Sequence, residues 1–302
     1  MTSMIERRRF LQTVGAWGAA AAAANLGLPD LNAAEFAHGA PQAEKLGWRV
    51  ACCAYSFNQV PLVEAVERTA SLGVKYLEGF TWQPLGKQHP GVQTNESMPA
   101  AAVKTMKKAL ADCGVKLLSC YMAQMPNNQD ACRKKFDWGK ELGLETFVAE
   151  PPLDAFDLLE KLCDEYQINV AIHNHPKPSS AYWNPETIVK VTKGRTKRIG
   201  ACADTGHWCR SGLDPVACCK LLEGRLVSFH LKDVAEFGKV DAEEVPWGKG
   251  KGSIEGVLRE VHRQKAKVVF GIEYERGGYE TRPEIAQSLA FMENVAAKLA
   301  GK

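Results

Sequence analysis

Histidines and acids recur in short clusters through the second half of the sequence: Glu150-Pro151-Pro152, His173-Asn174-His175, Asp204-Thr205-Gly206-His207, His230-Leu231-Lys232-Asp233 and Glu273-Tyr274-Glu275. Imidazoles and carboxylates are the side chains that coordinate divalent ions and move protons near neutral pH. One such group at the end of an apolar run is usually a capped or satisfied polar residue. Five in succession imply convergence on one place, and a buried cluster of acids and imidazoles is costly unless a cation holds it together. A mixed histidine and carboxylate shell suits one Mn²⁺, Zn²⁺, Co²⁺ or Fe²⁺ ion better than Ca²⁺, with Mg²⁺ admissible.

The elements that carry these clusters alternate. Short β-branched or apolar runs predict strands at Arg49–Phe57, Val74–Phe80, Val115–Met122, Thr146–Pro151, Asn169–His175, Arg198–Asp204, Leu226–Lys232 and Lys267–Glu275. Stretches of helical periodicity lie between them, near Leu62–Leu72, Ala100–Cys113, Gln129–Leu142, Ala155–Tyr166, Glu186–Lys193, Pro215–Leu222, Ile254–Gln264 and Pro283–Leu299. Asn184-Pro185 and Asp214-Pro215 read as N-caps followed by proline at the first helical position, and Gly73, Gly114 and Gly143 as helix-ending glycines. Eight strand-helix pairs over residues 46–302 predict an α/β fold, a single-domain (β/α)₈ TIM barrel. A doubly wound open sheet would place a glycine-rich phosphate turn after its first strand, where Tyr55-Ser56-Phe57-Asn58 stands instead. In a barrel the carboxyl ends of the strands build the site, and all five clusters fall there. Alternation along a strand puts His173 with His175, and Glu273 with Glu275, on one face.

The order and spacing of Asp204-x-x-His207, His230-x-Lys232-Asp233, Pro246-Trp247-Gly248-Lys249-Gly250 and Glu273 resemble the xylose isomerase-like barrel superfamily over nearly all of the chain beyond the leader. That superfamily includes sugar isomerases and epimerases, inosose dehydratases, metal-dependent AP endonucleases and lyases of 3-keto-glycosides. The resemblance implies a metal held by the end of the fifth strand together with Asp204, His230 and Glu273, with His207 beside it touching substrate. Epimerases of the group usually have glutamate at the end of the fifth strand; His173 stands there in this chain, so the expected ligand set is His173, Asp204, His230 and Glu273. A two-carboxylate proton exchange is thereby in question, with Glu150 able to supply the missing carboxylate. The stretches around His173 and Asp204 look more like the exported lyase branch than like cytoplasmic epimerases. Isomerisation, epimerisation and elimination share one chemistry: a metal stabilises the enediolate formed when a base removes the proton beside a sugar carbonyl. Glu150, His175 and His207 are the candidate bases, and Lys232 either steadies the oxyanion or pairs with Asp233 or Glu273. AP endonuclease activity would need further histidines at the second and third strand ends, where Glu78, Gly79, Cys120 and Tyr121 stand. A non-catalytic sugar-binding barrel is the remaining alternative.

Aromatic residues at or after the strand ends, Tyr55, Trp82, Tyr121, Trp183, Trp208 and Trp247, could cover the C–H face of a carbohydrate. The glycine-rich stretch from Glu236 to Gly252 has the composition of a lid. A net charge of +3, from 38 basic and 35 acidic residues spread along the chain, gives no single-sign field for nucleic acid. Residues 1–40 read as a twin-arginine export signal and short linker: Arg7, Arg8 and Arg9 lead into Phe10-Leu11 and an alanine-rich run too short for a stable membrane anchor. A periplasmic location follows as an expectation, and a homo-oligomer is compatible with it. The ten cysteines fall in strand-like runs and on apolar helix faces, which predicts structural thiols rather than disulfides.

Overall fold

A computed structural model describes residues 39–276 and 279–301; the expected export signal falls almost wholly outside them. Eight parallel strands close into a barrel: β1 (Arg49–Cys53), β2 (Tyr76–Phe80), β3 (Lys116–Tyr121), β4 (Thr146–Ala149), β5 (Asn169–His173), β6 (Ile199–Asp204), β7 (Leu226–Leu231) and, past a two-stranded hairpin of β8 (Asp233–Val234) and β9 (Glu244–Val245), the last barrel strand β10 (Val269–Ile272), which pairs with β1. This is the (β/α)₈ barrel that the alternating pattern predicts.

Alternation along each strand divides two environments. On β7, Phe229 and Leu231 join the continuous core between strands and helices. Ser228 and His230, one residue out of phase, face the barrel interior, as barrel geometry requires. Val148, Ala171 and Cys202 form a separate small interior cluster below the mouth. The strands stop earlier than the apolar runs suggest: β5 ends at His173 and β10 at Ile272. His175 and Glu275 therefore lie on the loops that follow, and the shared-face argument does not place them.

The helices carry the expected punctuation. The side chains of Asn128, Asn184 and Asp214 accept from the backbone N–H of Ala131, Glu186 and Val216 at 2.9–3.0 Å. Gly114 and Gly143 cap two helices in the left-handed region, with φ of 64° and 73°. Ahead of β1, the short helix Pro41–Lys45 is fixed to the last helix, Arg282–Ala300, by the Glu293 carboxylate, which accepts from the N–H groups of Gln42 and Ala43 at 2.8 and 2.9 Å. No helix among the described residues is long and apolar enough to cross a membrane. Nine of the ten cysteines are buried free thiols, and Cys113 is half-buried.

Residues 248–252, the end of the glycine-rich stretch expected as a lid, are tied down to one carboxylate. Asp233 is buried, and its carboxylate accepts from the N–H groups of Gly248, Gly250, Gly252 and Val234 at 2.8–3.0 Å. A Cβ at Gly250 would lie 2.4 Å from Asp233 Oδ1, so the close approach of this backbone needs glycine.

Candidate metal centre at the barrel mouth

Four strand ends bring His173, Asp204, His230 and Glu273 together, each buried, with ligand atoms within 4.8 Å of one another. His173 Nε2 lies 3.4 Å from Asp204 Oδ2, and His230 Nδ1 lies 2.7 Å from Glu273 Oε2. These four atoms, one from each residue, are buried and make no well-aligned hydrogen bond; the Lys232 ammonium, 2.9 Å from each of the two carboxylate oxygens, offers one charge for both and nothing to the two imidazole nitrogens. Leaving several buried polar atoms unpaired at one point is costly. A divalent ion relieves that cost directly, and the two-imidazole, two-carboxylate donor set suits one. The residues expected as ligands thus fit such a group.

Local structure leaves these atoms free by occupying their neighbours. Asp204 ends β6 and caps the short helix Thr205–Arg210: its Oδ1 accepts from His207 N–H at 2.8 Å, and Oδ2 remains. Asn174 staples the ends of β5 and β6 by donating to the Asp204 carbonyl and accepting from the Asp204 N–H, at 3.1 and 3.0 Å. His173 turns Nδ1 toward Glu150 Oε1 at 3.4 Å. A carboxylate only accepts, and one faces each ring nitrogen at 3.4 Å; with a metal drawing the Nε2 lone pair, the proton would sit on Nδ1 toward Glu150.

Lys232 is buried, with its ammonium 2.9 Å from Asp204 Oδ2, 2.9 Å from Glu273 Oε2 and 3.0 Å from Glu275 Oε2. Of its two expected ion pairs, that with Glu273 forms and that with Asp233 does not, because the glycine loop holds Asp233. Burial would discharge Lys232, but Asp204, Glu273 and Glu275 outweigh it and hold the amine well above its ordinary value. Burial likewise opposes the ionised Asp204, yet the adjacent His207 and Lys232 hold its carboxyl well below the usual range.

His207 stands between two cations: its Nδ1 is 3.2 Å from Arg210 Nη1 and its Nε2 is 3.4 Å from Lys232 Nζ. Burial first, then the charges of Lys232, His173 and His175, depress its basicity well below that of a free imidazole, against the pull of Asp204. His175 is placed differently. Half-exposed on the cavity wall, it gives its Nδ1 proton to Glu150, which also accepts from Ser180 Oγ at 2.6 Å. Burial works against the Glu150 carboxylate, but the bonds from His173, His175 and Ser180 bring it down to about 2.

The cavity above these groups, about 250 Å³, has two unlike walls. His173, His175, His230, Lys232, Glu273 and Glu275 form the polar one. Tyr55, Phe80, Trp82 and Tyr121 form the other, with successive ring centroids 4.9–5.7 Å apart. Tyr55, Trp82 and Tyr121 were expected here. Trp183, Trp208 and Trp247 were too, and they lie elsewhere. Trp208 packs its side chain wholly into the core. Trp247 is buried and donates from Nε1 to the Leu231 carbonyl at 3.1 Å, and Trp183 lies beneath the Lys177 ammonium, 5.1 Å from it. Position just after a strand fixes the height of a side chain in the barrel, not its direction.

Sequence reasoning also passed over Glu78. This acid on β2 is buried in the cavity wall, 2.5 Å from His230 Nε2. The signal was a lone charge inside the apolar run Tyr-Leu-Glu-Gly-Phe, in the phase that faces the lumen.

A family model described as xylose isomerase-like TIM barrel matches residues 152–295. A solved structure of an uncharacterized protein from Parabacteroides distasonis is 30% identical, covering 82% of this chain and 98% of its own, with a TM-score of 0.66. A D-tagatose 3-epimerase-like protein is 16% identical, covering 83% and 99%, with a TM-score of 0.65. A xylose isomerase-like TIM barrel protein from Mycobacterium smegmatis, solved in complex with magnesium, is 12% identical, covering 83% and 97%, with a TM-score of 0.64. No curated protein sequence matches the chain.

Proposed function

The chain belongs to the xylose isomerase-like TIM barrel family, and from that premise we propose that it is a divalent-metal-dependent enzyme acting on a carbohydrate by proton transfer beside a carbonyl, as an isomerase or epimerase. One observation carries the reading: four buried ligand atoms, two imidazole nitrogens and two carboxylate oxygens with a single ammonium between them, converge at a cavity lined by an oriented imidazole. The epimerase-like and magnesium-bound relatives are consistent with it.

A metal held by His173, Asp204, His230 and Glu273 would supply the positive charge that stabilises a developing substrate oxyanion. The chain's own residues supply the rest. His175 is the base: Glu150 holds the proton on Nδ1, so the Nε2 lone pair is the one available to take a proton from the substrate carbon, and Glu150 stabilises the imidazolium that results. His207 does not serve, because the second proton a base must take would leave an N–H facing each of Arg210 and Lys232. The Lys232 ammonium adds a fixed charge for the same oxyanion. Tyr55, Trp82 and Tyr121 give the apolar face of a sugar a surface to lie on, while its hydroxyls meet the polar wall.

Elimination from a 3-keto-glycoside is a second reading, favoured by His173 standing where a second acid/base carboxylate would be expected. Removing a proton from one face and expelling a leaving group needs one base, whereas epimerisation needs proton donors on both faces. Incubating metal-loaded protein in D₂O with free ketoses and with 3-keto-glycosides tests both. Deuterium entering the carbon beside the carbonyl, without loss of a substituent, supports the first reading; aglycone release supports the second. Exchange with neither substrate class refutes the proton-transfer assignment.

A further inference from the structure

His230 is buried between two carboxylates, with Nδ1 at Glu273 Oε2 and Nε2 at Glu78 Oε1. Only one ring nitrogen can offer a lone pair to a metal, and the other must then carry the proton. Glu78 is placed to make that choice. Its Oε1 is 2.5 Å from His230 Nε2, its Oε2 accepts from Ser119 Oγ at 2.6 Å, and the Cys53 thiol lies 4.0 Å from Oε1. With both oxygens engaged, Glu78 is committed to the imidazole. The backbone contributes too, since the pairing of β2 with β3 shifts register between Leu77 and Glu78. Such irregularities re-aim a side chain.

We propose that Glu78 is a positioning residue of the metal centre: it fixes the proton of His230 on Nε2 and presents the Nδ1 lone pair to the point where His173, Asp204 and Glu273 converge. It does for His230 what Glu150, after β4, does for His173, so each imidazole of the ligand set is backed by a different carboxylate. Carboxylates behind metal-bound histidines raise ligand basicity and hold the ring in plane with the ion. The inference rests on the reading of these four residues as a metal centre.

The test compares zinc binding by the full chain, measured by competition with a chromophoric chelator, in wild type, Glu78→Ala and Glu78→Gln. Glu78→Ala is expected to lower zinc affinity by roughly 10- to 100-fold. Glu78→Gln, whose amide oxygen still accepts from Nε2–H, is expected to recover most of that loss. In zinc-loaded protein labelled with ¹⁵N-histidine, a strongly deshielded ring N–H assigned to His230, distinct from those of His173 and His175 that face Glu150, is expected in wild type and in Glu78→Gln and is absent from Glu78→Ala. A purely structural role would lower metal-free stability and leave zinc affinity and the N–H signal unmoved. Zinc affinity in Glu78→Ala equal to wild type therefore overturns the proposal. Should Glu78→Ala fail to fold, absence of the deshielded N–H from zinc-loaded wild type overturns it instead. A wild type that binds no zinc, manganese or cobalt defeats the metal centre itself, a failure visible before any variant is made.

Discussion

Asp204, the last residue of β6, and Asp233, two residues past the end of β7, are both buried and differ in what satisfies them. Asp233 spends both oxygens on four backbone N–H groups of its own chain. Asp204 spends one oxygen on a helix N-terminus and turns the other, which the backbone does not reach, toward the ligand atoms of His173, His230 and Glu273. A buried carboxylate completed by the backbone holds a loop in place; one left half-complete beside others in the same condition is made for something from outside. Lys232 sharpens the contrast. Its ammonium reaches Asp204 Oδ2 and Glu273 Oε2 but not His173 Nε2 or His230 Nδ1, so it balances charge without completing the set.

The same substitution at the two aspartates should separate them. Asp204→Asn is expected to abolish turnover and lower zinc affinity by more than about 100-fold, beyond the roughly 10- to 100-fold typical of losing an outer partner; chelator competition measures this, and near-normal affinity would erase the distinction. His175→Ala, which leaves all four ligand atoms in place, should cut kcat by about 10²- to 10⁴-fold with zinc affinity unchanged. Steady-state kinetics beside zinc titration reads both, and a parallel loss of metal would make His175 part of the ligand set. Asp233→Asn turns an amide NH₂ against backbone donors and should destabilise the fold by about 2–3 kcal/mol in urea unfolding, with zinc stoichiometry per folded chain unaltered.

The smallest effect concerns acid. Glu150 is held at about 2 in the folded protein against an ordinary 4.5, because the bonds from His173, His175 and Ser180 outweigh burial. A carboxyl lowered on folding contributes stability that is fully present above 4.5 and is lost as pH falls toward 2. Glu150→Gln should flatten metal-free stability across that window, seen in unfolding curves at a series of pH values. An unchanged slope would mean that the histidine contacts do not stabilise the ionised form.

Much of this was legible in the residues. Eight apolar runs, the Asn-Pro and Asp-Pro caps and the glycines before successive strands specify the barrel, since each is a local rule that the global fold obeys. His173, Asp204, His230 and Glu273 were readable because they close strands whose carboxyl ends must share one mouth. Glu78 was not, because it works as a partner of a ligand, and only the register of β2 against β3 and its neighbour on β7 reveal that. Trp208 and Trp247 were misplaced for a related reason: beyond the last paired residue the strand's alternation stops governing direction, and core packing and a backbone carbonyl claim these rings. The glycine-rich loop looked mobile from composition, and the Asp233 carboxylate that holds its end, residues 248–252, lies 15 to 19 positions away in sequence.

The most direct test of a shared cation is metal content. Wild type and Asp204→Asn would be incubated with zinc, manganese, cobalt or magnesium, passed through gel filtration, and analysed by inductively coupled plasma mass spectrometry. The account predicts about one divalent ion per wild-type chain and essentially none in Asp204→Asn, with both proteins folded. A wild type that retains none of the four metals, or an Asp204→Asn that retains as much as wild type, contradicts it.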